Sequence, residues 1–259
     1  MKFIDLCLYF EKEKVLILSD LHIGLEESLN KQGILIPRLQ FEEMLSRLKI
    51  ILEKLEIDKI IINGDLKHEF GIISKTEWTN TLDLLDLLGK HCKEIILILG
   101  NHDKVLGPIA SRQNLKTFQY YHFSDIFVCH GDVIFDNKDY KKSKLLVIGH
   151  EHPAVGLREE SRVENYKCFL IGKYGNKKLI VLPSFNLVTI GTDVLKESLL
   201  SPYLKDISNF EVKVISDKEI LDFGKVKDLK RLIKSNFPAV AIKKSLAKDS
   251  FSKKKKRIS

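Results

Sequence analysis

Short runs of β-branched and aliphatic residues recur along this chain, separated by amphipathic stretches. Residues 15–19, 60–63, 95–99, 126–129 and 145–148 are four or five residues long and bounded by Gly, Asn or Asp, the pattern of buried strands. Between the first two runs, residues 38–55 place Phe41, Met44, Leu45, Leu48, Ile51, Leu52 and Leu55 at i, i+3, i+4, i+7 spacing, which predicts a helix packing one face on a sheet. Ser74 with Glu77 forms a capping-box pattern opening a second helix through Trp78, Leu82, Leu85 and Leu88, which Gly89 can close. Strand–helix–strand alternation over residues 15–100 implies parallel βαβ units. After residue 110, the runs 126–129, 145–148, 166–171, 178–182 and 210–215 read as strands, with turn signals at Gly172 and Gly175-Asn176. A second, more antiparallel sheet is expected there. Residues 193–238 are less informative: a short helix over 193–200, a strand near 210–215 and a helix near 226–234. No internal repeat is found.

The five short runs share a second property. Each stops on metal-binding residue types: Asp20 and His22; Asp65 and His68; Asn101, His102 and Asp103; His130 and Asp132; His150, Glu151 and His152. The segments 19–24, 63–69, 100–103, 129–132 and 149–153 hold 26 residues and six of the eight histidines, where an even scatter would place about one. In open α/β sheets, ligands gather outside the carboxyl ends of strands. Asp20/His22 and His150/His152 are i, i+2 pairs, expected to leave their strands on one side and converge. Carboxylate, imidazole and one amide oxygen suit borderline divalent ions: Mn above all, with Fe(II), Zn, Co or Ni as alternatives. Asp20, His22, Asp65, Asn101, His130, His150 and His152 are too many for one ion with an open position, and fit two ions sharing a bridging carboxylate. Asp103 and Asp132 read as loop-capping residues. Glu151, between two candidates, is expected to point away toward solvent or to lie behind them. Cys129 is expected to face the core on the other side of its strand.

The series Asp-x-His (20–22), Gly-Asp-x-x-His (64–68), Gly-Asn-His-Asp (100–103), His-Gly-Asp (130–132) and Gly-His-x-His-Pro (149–153) resembles the calcineurin-like metallophosphoesterase superfamily, with all five blocks in order. Residues 64–70 (Gly-Asp-Leu-Lys-His-Glu-Phe) and 182–186 (Leu-Pro-Ser-Phe-Asn) look most like the archaeal phosphoesterases related to the repair nuclease SbcD. The resemblance implies a four-layer αββα sandwich of two mixed β-sheets flanked by helices. It implies that Asp20, His22 and His152 hold one metal, that Asn101, His130 and His150 hold the other, and that Asp65 bridges them. His102 would face the leaving group, and His68 matches the nuclease-like branch. Protein phosphatases of the superfamily carry Asp followed by Arg-Gly where this chain has His68-Glu69-Phe70, which counts against that activity.

The expected chemistry is hydrolysis of a phosphodiester by a hydroxide bridging two cations. His102 would be the general acid, and His68 would contact the phosphate or polarise His102. Composition narrows the setting. Cys7, Cys92, Cys129 and Cys168 show no clustered spacing, which fits a reduced cytoplasmic protein. The first residues lack the apolar core of a signal peptide. The longest charge-free stretch, 179–192, holds Pro183 and Asn186 and is too short for a bilayer, so no membrane partner is expected. The net charge of +8 is concentrated: residues 239–259 carry eight Lys/Arg and one acid, whereas residues 1–238 carry 35 Lys/Arg and 34 Asp/Glu. The expected organisation is a catalytic domain over 1–222, a C-terminal helix over 223–238 and a basic tail over 239–259 that can hold nucleic acid through phosphates. A second basic patch, Lys138, Lys141, Lys142 and Lys144, is expected near the mouth of the site, where it would steer phosphates. Two alternatives stay open: a hydrolase of small nucleotide-derived phosphodiesters, and a non-catalytic nucleic-acid-binding protein on the same fold.

Overall fold

The structure, a computed structural model, describes residues 1–234 apart from 38, 70–72, 104–114, 160–161 and 218. The basic tail lies outside the described residues.

The first sheet has the order β1-β2-β3-β4-β5-β6. It is built from Lys2–Ile4 (β1), Cys7–Phe10 (β2), Val15–Leu18 (β3), Lys59–Asn63 (β4), Glu94–Ile98 (β5) and Lys116–Phe118 (β6). Strands β3 to β6 are parallel, and β1 and β2 form an antiparallel edge. The βαβ expectation holds, because α2 (Gln40–Leu52) and α3 (Lys75–Gly89) cross between parallel strands. Met44, Leu48, Ile51 and Leu52 of α2 and Leu84, Leu85 and Leu88 of α3 are buried against this sheet. Helix α3 opens on the capping box: Glu77 N–H donates to Ser74 Oγ at 3.1 Å, and Ser74 N–H donates to Glu77 Oε2 at 3.0 Å. A short α1 (Leu25–Lys31) follows the first site loop.

The second sheet runs β13-β10-β11-β12-β9-β8-β7, with β14 added beside β11 and β15 beside β14. Its strands are Tyr120–Phe123 (β7), Ile126–Cys129 (β8), Leu145–Ile148 (β9), Pro153–Glu159 (β10), Arg162–Tyr174 (β11), Lys177–Val181 (β12), Thr192–Asp193 (β13), Glu211–Ser216 (β14) and Glu219–Lys225 (β15). Period-two alternation splits its side chains between two cores. Ile126, Val128, Val147, Phe169 and Ile180 pack against the first sheet. Phe127, Cys129, Leu146, Cys168, Leu179 and Val181 face outward and are covered by Leu204, Ile207, Phe210 and the helix Val226–Lys234, through Val226 and Leu229. The two stacked mixed sheets are those of the metallophosphoesterase fold. The outer face of the second sheet carries few helices, Lys138–Lys142 and Val226–Lys234, beside irregular chain, which is consistent with the expected sandwich.

The expected helix over 193–200 is absent. Asp193 closes a single turn, accepting from Leu195 N–H through its carboxylate and from Glu197 N–H through its carbonyl, while Glu197 reaches back to Asp193 N–H. Leu200 and Ser201 N–H then donate to Glu151, which pulls the chain out of helical register. No helix among the described residues is long and apolar enough to cross a membrane. Removing the cap with Ser74→Ala should cost about 1 kcal/mol, read as a lower urea midpoint with unchanged slope.

Candidate metal centre

Strands β3, β4, β5, β8 and β9 end on one side of the sandwich, and their loops meet there. The i, i+2 pairs do not converge by strand alternation, as expected from sequence, because β3 and β9 end before they begin. Asp20, His22, Asp65, His150 and His152 all have left-handed backbone, at φ 56, 46, 45, 66 and 48°. Only nine described non-glycine residues do so, and five are in this set. Each such residue costs about 1–2 kcal/mol, so the surroundings must hold it. Asp20 N–H donates to Gly64 O at 3.1 Å, and His22 N–H to Asp65 O at 2.9 Å. His150 N–H donates to the Asp20 carboxylate at 3.1 and 3.2 Å, and Ser19 Oγ donates to it at 2.6 Å.

The second sheet grips the Asp20 loop from the other side. Ser184 Oγ and Asn186 N–H donate to Asp20 O, Phe185 N–H donates to Ser19 O, and Asn186 Nδ2 donates to Leu21 O at 2.8 Å. Lys167 on β11 in turn pins that segment, donating from Nζ to the carbonyls of Ser184, at 2.9 Å, and Asn186. Burial, with Arg47 nearby, pulls the Lys167 ammonium down to about 7. Sequence reading noticed 182–186 only as a family-like string and missed Lys167, which carries no signal inside an ordinary strand.

All seven candidates come together. His22 Nε2 and His152 Nε2 are 3.2 Å apart, and His152 Nε2 is 3.2 Å from Asp20 Oδ1. His130 Nε2 lies 3.0 Å from Asn101 Oδ1 and 3.1 Å from His150 Nδ1. Asp65 Oδ2 sits between these groups, 3.8 Å from His22 Nε2 and 3.5 Å from His130 Nε2. Donor atoms about 2.1 Å from one ion are roughly 3.0–3.4 Å apart, close to these spacings. Glycines make the approach possible. At Gly64 (φ 80°) a Cβ would fall 2.1 Å from His130 Nδ1, and at Gly149 it would fall 1.9 Å from Ser19 Oγ.

His102 lies beside the centre, its Nε2 4.0 Å from Asp65 Oδ2, while its Nδ1 meets the carbonyl of His68. His68 therefore touches His102 through its backbone, with the rings stacked at 5.4 Å. Asp103 caps the loop as expected, accepting from the N–H groups of Gly100, Leu66 and Lys67. Cys129 faces the outer core. Asp132 is half-buried and adds negative charge near His130. Glu151 is not solvent-facing: it is 1% exposed and holds Leu200 and Ser201 by their N–H groups at 2.8 and 2.9 Å. The patch at 138–144 is not at the mouth. It lies on the helix Lys138–Lys142 and the turn after it, where Lys144 N–H donates to Asp125 O and Lys144 O accepts from Lys178 N–H. Those contacts place it at the starting ends of β8, β9 and β12, opposite the site.

The electrostatics ask for cations. Burial pushes the Asp65 carboxyl up to about 7, against the pull of His130. Burial also acts to raise Asp20, but His152, His130 and His22 outweigh it and hold this carboxyl well below the usual range. Burial, with His152, takes His22 down to about 2, and burial, with His130, takes His150 down to about 4. Burial opposes a charge on His130, yet Asp20 and Asp65 raise it. Buried carboxylates whose only counter-charges are imidazoles, two of them held neutral by burial, are a donor set that fits divalent metal. Buried His22 Nδ1 and His130 Nδ1 also have no hydrogen-bond partner.

The calcineurin-like phosphoesterase family matches residues 13–198. The crystal structure of Pseudomonas putida nuclease MPE is similar at TM-score 0.59 and 20% identity, over 84% of this chain and 91% of that one. A protein of unknown function from Aquifex aeolicus, AQ665, aligns at TM-score 0.34 and 19% identity, over 53% and 78%. No curated protein matches.

The titrations fix how the metal-free protein responds to acid. His22 and His150 stay neutral in the fold to about 2 and about 4, while in the unfolded chain they take protons near 6.5. Both therefore withdraw stability as pH falls from about 6.5 to 4. Asp65 runs the other way, keeping its proton in the fold up to about 7. Burial also lowers His68 and His102, which act with His22 and His150, and raises Asp103 and Glu151, which act with Asp65. With four histidines against three acids, chelated protein should lose stability over that window, at up to about 1.4 kcal/mol per pH unit. Calorimetric midpoints that rise on acidification would contradict this account.

Proposed function

Because the chain belongs to the calcineurin-like phosphoesterase family, we propose that it is a dinuclear-metal phosphodiesterase of nuclease-like substrate class. Membership makes it a metal-dependent phosphoester hydrolase. The finer reading rests on one observation above the rest, the place of Asp65 Oδ2 between the His22 and His130 nitrogens. Asp20, His22 and His152 would hold one ion, Asn101, His130 and His150 the other, and Asp65 both. Two bound divalent ions, Mn foremost among those that suit mixed nitrogen and oxygen donors, would supply Lewis-acid charge neutralisation and an activated water.

The chain's own residues do the rest. Asp65 and Asp20 balance the cationic charge in a buried site. His102 has Nδ1 committed to the His68 carbonyl, so Nε2 is the atom that faces the centre and passes a proton to the departing oxygen. The His68 carbonyl steadies the imidazolium through Nδ1. The basic tail favours nucleic acid as substrate, as does the likeness of blocks 64–70 and 182–186 to SbcD-related phosphoesterases. A near-neutral body over 1–238 favours a small nucleotide-derived phosphodiester as the second reading. A cytoplasmic setting accords with four free cysteines, three of them buried. A screen of Mn, Zn, Fe, Co and Ni against single-stranded DNA, RNA, cyclic nucleotides and a nitrophenyl phosphodiester separates these substrates. No turnover with any pair would leave a binding protein on a hydrolase fold.

Asp65→Asn should weaken both ions by more than the roughly 10–100-fold that losing an outer hydrogen-bond partner costs, and abolish most turnover. Elemental analysis and titration calorimetry read the first effect. Full metal content with near wild-type rates would sink the shared-carboxylate reading. His102→Ala should retain both ions yet lose about 10²–10⁴-fold on nucleotide diesters, and far less on nitrophenyl esters, whose leaving group needs little protonation. Equal losses on both substrates would remove His102 from proton transfer.

A further inference from the structure

At the end of the second sheet opposite the metal centre, β12 begins, β11 ends, β14 begins and β15 ends, as their registers require: Tyr174↔Lys177, Ile171↔Glu211 and Glu211↔Lys225. The 138–144 segment joins them through Lys177 Nζ, which donates to Lys141 O, and Lys178 N–H, which donates to Lys144 O. Segments 138–144, 173–178, 205–211 and 225–227 together hold ten lysines against three acids. The remainder of residues 1–238 holds 25 Lys/Arg against 31 Asp/Glu. A body that is near neutral in total is therefore divided, with a basic end and an acidic remainder that includes the metal centre.

A cleft of about 590 Å³ opens at that basic end, lined by Lys173, Lys178 and Lys225 with Asn209, over an apolar floor of Ile171 and Phe210. Gly172 admits the Phe210 ring, which a Cβ would meet at 1.8 Å. Lys173 and Lys178 are directly opposite each other across β11 and β12. Like charges in that position oppose folding, and neither lysine, nor Lys225, is in an ion pair among the described residues. Two acids share the cleft, but Asp206 is engaged by Ser208 N–H, which leaves Glu211 as the main counter-charge.

We propose that this basic end is a docking surface for the phosphate backbone of nucleic acid, separate from the metal centre. Bound phosphates relieve the Lys173–Lys178 repulsion, and release of counterions drives the association. A lipid surface fits less well, because the exposed large hydrophobic residues, among them Leu35, Val133, Ile134, Ile190 and Leu200, all lie outside these segments. The acidic remainder keeps a polyanion from lying at random over the molecule, so the strand is held at one end and reaches the other by its own length. The proposal does not depend on the catalytic reading, since binding is measured without hydrolysis.

The test uses the full chain in EDTA with a fluorescent duplex DNA, and phosphatidylserine vesicles as the competing surface. Replacing Lys173, Lys178 and Lys225 together by Glu should weaken DNA binding roughly tenfold or more and flatten the slope of log affinity against log salt by about 2–3 units. The same three changed to Gln should give a smaller loss of the same kind, and should melt at or slightly above the parent because the Lys173–Lys178 repulsion is gone. The Glu variant, with a like-charged pair in the same place, should melt close to the parent. Metal-loaded hydrolysis of a nitrophenyl diester should be unchanged. DNA affinity and salt slope equal to the parent's in both variants would overturn the proposal. So would a loss confined to vesicle binding.

Discussion

Seven polar groups, most of them buried, are gathered where two sheets meet, and the rest of the structure answers to the cost of putting them there. A carboxylate or imidazole taken out of water must find a partner or give up its charge. Here the partners are chiefly one another. Asp20 accepts from His150 N–H and Ser19 Oγ and lies against His152, His130 and His22, while Asp65 accepts from His102 N–H and stands between His22 and His130. The left-handed backbone at five of the seven positions is the geometric side of the same constraint. Extended chain would keep Asp20 and His22 on one face but about 7 Å apart along the strand, and the left-handed turns at both positions bring them in toward one point.

The strand ends and the chemistry they carry were legible because both are local. A buried parallel strand must be a short apolar run, and a divalent ion selects among few residue types, so order along the chain was enough to propose the set. What could not be read was whatever depends on contacts between distant segments. Asp20/His22 and His150/His152 were expected to align by strand parity, whereas β3 and β9 stop short and the turn geometry does the work. Glu151 has no local partner, and only the return of the chain at Leu200 and Ser201 shows why a carboxylate is buried there. The helix anticipated over 193–200 yielded to that same contact.

The lysines at 138–144 illustrate a different limit. Sequence placed them between two metal blocks, so nearness along the chain was taken for nearness in space. A parallel pair of strands reverses that inference: β8 and β9 run the same way, so the link between them must return to the end where both begin. The charge that looked like part of the site belongs to the far edge. Lys173, Lys178 and Lys225, scattered in sequence, arrive at that edge for the same topological reason.

The grip of Ser184, Phe185 and Asn186 on the Asp20 loop has a consequence for how the molecule assembles. These contacts join positions some 164 residues apart, and they come from the second sheet to a loop of the first. Neither sheet alone supplies every contact: the first holds the left-handed turn at Asp20 through Gly64 O and Asp65 O, and the second adds Ser184, Phe185 and Asn186, a segment pinned by Lys167. The ion site is thus complete only when the two sheets are packed together. An ion held only by the docked arrangement would stabilise that docking in turn, since a ligand that binds the folded form alone shifts the equilibrium toward it.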